Sequence, residues 1–575
     1  MNELQLKLAE ALRHTAERFR KGGLPAHLTA QMQQLATEVD EPCVVAVVGR
    51  VKAGKSTFVN ALLGEDLAKM GATETTATIN YFRHGTPDPN FPVRCYWRTS
   101  KLKVTDESRT FLDSLQGRDK ETLRRAADID HLEYLVPNRY LEQITLVDTP
   151  GTGAAVTEHQ QRVEEFVNIS DPLYDELKKR HHDETERIGS AADAVIYLIG
   201  VTARITDEFF LKQFLEAAGD KSRAYNAIGV MAQIDLNDQV VERREELSDK
   251  VASQLQHRLN TVIPVSAGIQ RALNNMLEDR AGLKEMMTIF RRDPPLPAEV
   301  IDNLLSDSEA YDDYEAFFDT DKPCPVTPEQ RKQVRGKRGK DGEPDEVPWK
   351  VFATIVRAVT DPSLADETAI VQKLQDIAGF ERLRTVLEQH FIRRGSLLRG
   401  YNIVNKALKL LEEIKDSYLL EFREREDENT AKRGRFVAFL RHIPNNAAAR
   451  ELEEFVQQQL APRADMGVML DEVEREIAHI KYELEDYNAD FKALQQIEEH
   501  MDLFEEKDRS ELQLLFGLHS LESEKRLQPS HVTFPYIEER QAYWERKMDL
   551  GREPIAVEVA EQAVRRYGLI AESLN

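Results

Sequence analysis

A chain of 575 residues is too long for one hydrophobic core, and ordinary domain sizes predict roughly two to four units. With 41% hydrophobic and 31% charged residues it reads as a soluble, helix-rich globular protein, and a net charge of −24 argues against general attraction to nucleic acid or an anionic surface. The three cysteines, Cys43, Cys95 and Cys324, are far apart and lack C-x-x-C spacing, which speaks against a zinc site and fits a reducing compartment.

In chain order, Leu4, Leu8, Leu12, Ala16 and Phe19 recur at helical spacing, so residues 1–39 are expected to form one or two amphipathic helices. The first residues lack a basic-then-apolar secretory layout, and no apolar run approaches the ~18 residues of a membrane span. The expected location is the cytoplasm, with membrane contact only from the inner face. An apolar strand, Val44–Val48, then runs into Gly49-Arg50-Val51-Lys52-Ala53-Gly54-Lys55-Ser56-Thr57 and an amphipathic helix. This is a G-x-x-x-x-G-K-S phosphate loop in its strand–helix setting. Backbone N–H groups from Gly49 to Thr57 and the helix dipole suit a β-phosphate, Lys55 suits its oxygens, and Ser56 suits Mg²⁺.

Downstream, Gly71–Thr78 offers threonine hydroxyls to complete the Mg²⁺ shell, with Thr76 the first candidate and Thr75 the next. The strand Ile144–Val147 ends in Asp148-Thr149-Pro150-Gly151, where Asp148 suits Mg²⁺ through water and the Gly151 N–H suits a γ-phosphate. His181-His182-Asp183-Glu184 lies in a highly charged stretch that reads as a solvated helix, because helix neighbours point about 100° apart. Further strands at 194–199, 227–231 and 262–265 lead to Gln233, Asp235 and Ser266-Ala267. Strands alternating with helices predict an α/β head with a mostly parallel sheet covered on both faces, its loops gathered at the phosphate-loop edge.

Residues 302–348, rich in Asp, Pro, Gly and Lys, read as a loop-rich insertion of low intrinsic order within a head spanning 40–375. From 376 to 575 helix formers dominate, predicting a long all-α bundle or stalk. Between its two long helical stretches, Lys432–Pro444 sets basic residues around an apolar run, either a membrane-contacting tip or a packed corner.

The series Gly49–Ser56, Thr75-Thr76, Asp148–Gly151, Asp235 and Ser266-Ala267 resembles the GTPase domain of the dynamin superfamily, in particular bacterial dynamin-like proteins. Gly379-Phe380-Glu381-Arg382-Leu383 is similar to the stretch leading from such heads into the stalk. The resemblance implies a P-loop GTPase that uses GTP, GDP and Mg²⁺, with Thr76, Lys55, Lys52 and Asp148 in catalysis. Gly49, Lys52, Ala53, Gly54, Lys55, Ser56, Thr57, Gly151, Gln233, Asp235, Ser266 and Ala267 would hold the nucleotide, and Ser56, Thr76 and Asp148 the metal.

It also implies a neck formed by the first and last helices, with Val557, Ala560, Val564 and Leu569 as partner face. Self-association through the heads, or pairing with a related dynamin-like protein, would accompany membrane remodelling in vesicle formation or vesicle-associated secretion, with anionic lipid as a peripheral contact and no nucleic-acid partner. Two departures matter. Ala232-Gln233-Ile234-Asp235 stands where the family has T/N-K-x-D, so Asp235 favours guanine without the lysine stem. Lys52 replaces a serine that orients water and a monovalent cation; its ammonium either supplies that charge or stays solvated. A nucleotide-binding scaffold with weak or partner-dependent hydrolysis, or a regulatory GTPase acting on other proteins, stays open.

Overall fold

The computed structural model describes residues 3–49, 53–64, 79–98, 103–115, 128–149, 192–204, 207–208, 211, 226–255, 258–259, 261–278, 281–291, 295–313, 326–335, 347–440, 447–517, 526–527 and 531–573, with the side chains of 418–465 outside the description. They form two compact units, residues 42–395 and the combination of 1–41 with 396–575. The chain opens with helices α1 (Glu3–Lys21) and α2 (Ala26–Glu38). Strands β1 (Cys43–Gly49), β2 (Ile79–His84), β3 (Val93–Trp97), β4 (Lys103–Glu107), β5 (Ile129–Val136), β6 (Ile144–Asp148), β7 (Ala194–Ile199), β8 (Ala227–Met231) and β9 (Val262–Pro264) follow. Helix α3 (Lys55–Leu63) lies between β1 and β2. After β9 come α4 (Ala267–Glu278), α5 (Trp349–Thr360), α6 (Glu367–Ala378) and α7 (Phe380–Leu387), and then α8 (Gly395–Leu440), α9 (Ala447–Glu499), α10 (Glu506–Leu515), α11 (Phe534–Leu550) and α12 (Pro554–Ser573).

The strands form one sheet in the order β4-β3-β5-β2-β6-β1-β7-β8-β9. From β6 to β9 all neighbours run parallel, and every residue of these strands is buried. Continuous apolar, Val-rich runs such as Val44-Val45-Ala46-Val47-Val48 suit strands covered on both faces. The other end is mixed: β2 is antiparallel to β6, and β3 is antiparallel to both β4 and β5. Chain order reverses around β1, since α3 leads to β2 on one side while β6 leads on to β7 on the other. Ligand crevices in such sheets open at the strand C-terminal ends beside that reversal.

The head ends at Gly395, later than the expected boundary near 375. The reason is packing: α6 lies on α4, Ser266 N donates to Ala378 O at 3.0 Å, and the Phe380 ring sits 5.8 Å from that of Phe58 in α3. Within 302–348, expected as a loop, Ser308–Asp312 and Pro328–Arg335 are helical. Tyr311 is fully buried, donates to Arg331 O at 2.7 Å and packs on Trp349 and Phe352, which accounts for order that Pro and Gly content concealed. Residues 314–325 and 336–346 lie outside the described residues, as does His181–Glu184.

In the helical unit, Leu8, Leu12, Ala16 and Phe19 of α1 are buried in a core shared with α2, α8 and α9. The last helix sits elsewhere: Val559, Ala560, Ala563 and Tyr567 share a second core with the end of α9, α10 and α11. The expected partnership of first and last helix is therefore replaced by two cores, because α2 and α11 each supply an adjacent apolar stripe. Residues 432–440, read from sequence as a break between long helices, continue α8 to Leu440, and 441–446 lie outside the described residues.

A single turn of π-helix, Glu388–Ile392, closes the head and buries His390. Burial, aided by Arg394, pushes the His390 imidazole down to about 4. The folded state thus holds this ring neutral, while an unfolded chain protonates it near 6.5. Its contribution to stability is whole above pH 6.5 and is lost as pH falls from 6.5 towards 4, by about 3 kcal/mol in total. Urea midpoints at pH 7 and pH 5 should differ by about one proton's linkage more in the parent than in His390→Gln; equal slopes would remove His390 as the source.

Candidate functional site

Residue Gly49 ends β1 where a Cβ atom would lie 2.8 Å from Leu198 O of β7, so only glycine allows the neighbouring strands this approach. Gly54 caps α3 with φ +81°, the left-handed region that glycine enters without steric cost. Lys55 follows as the first residue of the helix. Lys55 is 8% exposed, and its Nζ donates to Gly49 O at 3.2 Å. Burial lowers its pKa, and the Asp148 carboxylate opposes that shift.

At the end of β6, directly beside β1, Asp148 accepts from Ser56 Oγ through Oδ2 at 3.2 Å. Its Oδ1 is buried without a hydrogen-bond partner among the described residues. Burial pushes the Asp148 carboxyl up to about 6, against the pull of Lys55 and Ser56. Thr149, which sequence reasoning left without a role, donates through both N and Oγ1 to Val47 O and fixes this carboxylate to the central strand. A buried carboxylate with an orphaned oxygen beside a serine hydroxyl is a hard-oxygen pair that fits Mg²⁺.

On the other side of the crevice, β8 leads into a 3₁₀ turn, Ile234–Leu236, that carries Asp235. Asp235 is 7% exposed; burial raises its pKa, and hydrogen bonds from Ser266 and from its own backbone lower it. Fully buried Ser266 accepts from Ile269 N at 3.1 Å and so caps α4, whose first residue is Ala267. Gln233 has φ +61°, the one described non-glycine residue in the left-handed region. Its Nε2 lies 3.6 Å from where a Cβ on Gly54 would stand, which sets the turn after β8 against the start of α3.

Left-handed backbone costs a non-glycine residue on the order of 1–3 kcal/mol, and most for a β-branched one. Gln233→Val should therefore be less stable than Gln233→Gly by about 2 kcal/mol in urea unfolding, and indistinguishable midpoints would show that the turn relaxes freely. The structure thus brings together Gly49, Gly54, Lys55, Ser56 and Asp148, and separately Asp235 with Ser266 and Ala267. Ala53 and Thr57 flank them, half-buried. Lys52, Thr75, Thr76 and Gly151 lie outside the described residues.

Residues 45–234 match the profile described as Dynamin family. The chain carries a dynamin-family GTPase domain. Isoniazid-induced protein IniC of Mycobacterium tuberculosis is 26% identical to it over 394 residues, covering 66% of this chain and 70% of that protein. A probable transmembrane GTPase, FZO-like and chloroplastic, of Arabidopsis thaliana is 28% identical over 162 residues, 28% of this chain and 15% of that one. Among solved structures, a chain from an oligomerised bacterial dynamin pair, described as a mechanism for long-range sensing and tethering of membranes, aligns with 98% of this chain and 90% of its own at 13% identity and a TM-score of 0.31. The dynamin-family domain hydrolyses GTP, and Asp148 with its Ser56 partner falls within the matched span, whereas Asp235, Ser266 and Ala267 follow it. Among the described residues no helix is long and apolar enough to cross a membrane.

Proposed function

We propose that this chain is a dynamin-like mechanochemical GTPase that couples a nucleotide cycle in the head to remodelling of an anionic membrane, in vesicle formation or vesicle-associated secretion. The observation that carries the reading is the group of buried Lys55 and Asp148 with half-buried Ser56 at the reversal point of a dynamin-family sheet. In it Lys55 neutralises phosphate oxygens, and the amides of Ala53 to Thr57 at the start of α3 donate to them. Ser56 and Asp148, with Thr76, would hold Mg²⁺, which neutralises charge across the phosphates when bound. Asp235, ionised, accepts the guanine N–H donors, and the Ala267 N–H donates to the base.

The helical unit suits a lever. Helices α8 and α9 have 46 and 53 residues, about 69 and 80 Å at 1.5 Å per residue. The basic and apolar residues 432–440 fall in the last turns of α8, and each Lys or Arg beside an anionic leaflet contributes about 1 kcal/mol. Self-association of heads on GTP, with itself or with a related dynamin-like protein, would link neighbouring levers. The test is sedimentation with phosphatidylserine-containing and neutral liposomes, with and without a non-hydrolysable GTP analogue, together with phosphate release. Nucleotide-dependent binding to the anionic vesicles and faster hydrolysis on them support the reading. Hydrolysis or GTP binding with no response to either vesicle would leave a nucleotide-binding scaffold in its place, as the glutamine at 233 already favours.

A further inference from the structure

Helix α4 begins beside the base-reading turn, and its second residue is Gly268. A Cβ at Gly268 would lie 2.6 Å from Val351 Cγ2, 3.4 Å from Asp235 Oδ2 and 3.9 Å from Ser266 Oγ. Val351 belongs to α5, is fully buried and comes from outside the span that matches the family. It is a fixed wall. At one end of α5, Trp349 and Phe352 hold the Arg335 guanidinium at 5.2 and 5.1 Å from their ring centres, and Arg335 donates to Val347 O at 2.9 Å. At the other, Arg291 donates to Val359 O, Leu364 O and Asp361 O at 2.5, 2.6 and 3.3 Å. Helix α5 also packs directly on the turn that carries Asp235. The first turn of α4 is fastened as well, through Ser266 N to Ala378 O and Ile269 N to Ser266 Oγ.

We infer that Gly268 is a positioning residue for guanine selection, and that Val351 is the wall that requires it to be glycine. The inference rests on the proposed reading of Asp235 as acceptor of the guanine N–H groups. Two rigid supports meet at this Cα: α5 on one side and the Asp235 carboxylate with Ser266 on the other. Any side chain there separates the Ala267 amide from the Asp235 carboxylate. The two groups contact the base only, so the damage should be specific to guanine, leaving the phosphate contacts of Lys55 and Ser56 as they are. Insertion of a methyl into a packed contact cannot be absorbed by rotation of a long side chain, since Val351 is β-branched and fully buried.

The experiment is titration of fluorescent GTP and ATP analogues into the full chain, with urea midpoints for every variant. Gly268→Ala is expected to lower GTP affinity about tenfold or more while ATP affinity stays within about threefold, so that the GTP-to-ATP preference collapses. Gly268→Ala combined with Val351→Ala is expected to recover the preference to within about threefold, because the space taken by the new methyl has been vacated. Val351→Leu, which crowds the same contact from the other side, is expected to lower the preference in the same direction as Gly268→Ala. An unchanged preference in Gly268→Ala, or an equal loss of both nucleotides, overturns the inference. If that single variant does not fold, the double variant and Val351→Leu decide it on the same readout. Asp235→Ala separates the two levels. If it abolishes the preference while a folded Gly268→Ala keeps it, the positioning role alone fails; if the parent or Asp235→Ala shows that no preference depends on Asp235, the base reading fails with it.

Discussion

Replacing Lys55 with alanine is expected to lower GTP affinity by at least about 100-fold while changing the stability of the nucleotide-free chain by no more than about 1 kcal/mol. The two effects separate because Lys55 serves different ends in the two states. Without nucleotide its ammonium is buried at 8% exposure, touches Gly49 O and faces Asp148, and burial already depresses its pKa. Removing it relieves that desolvation but withdraws the cation that opposes the upward shift of Asp148, so the terms oppose each other. On the proposed reading the same charge meets phosphate oxygens once nucleotide binds, where a charge-assisted bond contributes about 1.5–3 kcal/mol and more than one is lost. Fluorescent GTP titration and urea unfolding of Lys55→Ala measure both. Affinity within about threefold of the parent would remove Lys55 from the phosphate site.

The fully buried half of the head was legible as sequence, and the half-exposed part was not. Strands β1, β6, β7, β8 and β9 are continuous apolar runs whose side chains are buried on both faces. Strands β2 to β5 escaped detection because their residues serve two environments. In β4, Lys103-Val104-Thr105-Asp106-Glu107 includes three exposed side chains at a sheet edge, and charges there blunt pairing with another chain. In β2 and β5, Arg83 and Glu133 pair across the strands and read, in sequence, as loop residues.

The phosphate loop and Asp148 were legible as motifs, but their meeting was not, since Ser56 and Asp148 are 92 residues apart. Two features had no local signal at all. The left-handed backbone at Gln233 is a conformation that sequence assigns to glycine or asparagine, and here the turn after β8 imposes it. The need for glycine at 268 comes from Val351, far along the chain, so no window around Gly268 carries it. The helical unit shows the same limit. Apolar stripes on α1 and α12 were visible, yet a stripe does not name its partner, and each found a nearer helix than the other.

The largest stability loss is expected in that helical unit, at Asp490. This carboxylate of α9 is fully buried and accepts from Arg526 Nη1 at 2.5 Å, Gln562 Nε2 at 2.8 Å and Arg566 Nε at 3.0 Å. Both guanidinium groups also stack on the Tyr487 ring, at 4.9 and 5.3 Å. One anion thus holds two buried cations, and burial with the neighbouring Arg566 already lowers the Arg526 pKa. Asp490→Ala leaves both charges without it in a medium that cannot solvate them, at a cost of about 3–5 kcal/mol. The decisive comparison is Asp490→Leu with Arg526→Met and Arg566→Leu together. If the cost of the single change is that of orphaned charge, the triple replacement should lie within about 2 kcal/mol of the parent, although it removes every ionic contact. If instead the ionic attraction itself stabilises the unit, the triple variant should be the weakest of the set. Urea unfolding followed by helical circular dichroism separates these outcomes. GTP affinity, read on the same samples, should stay constant in both variants, because the head's site contains none of these residues.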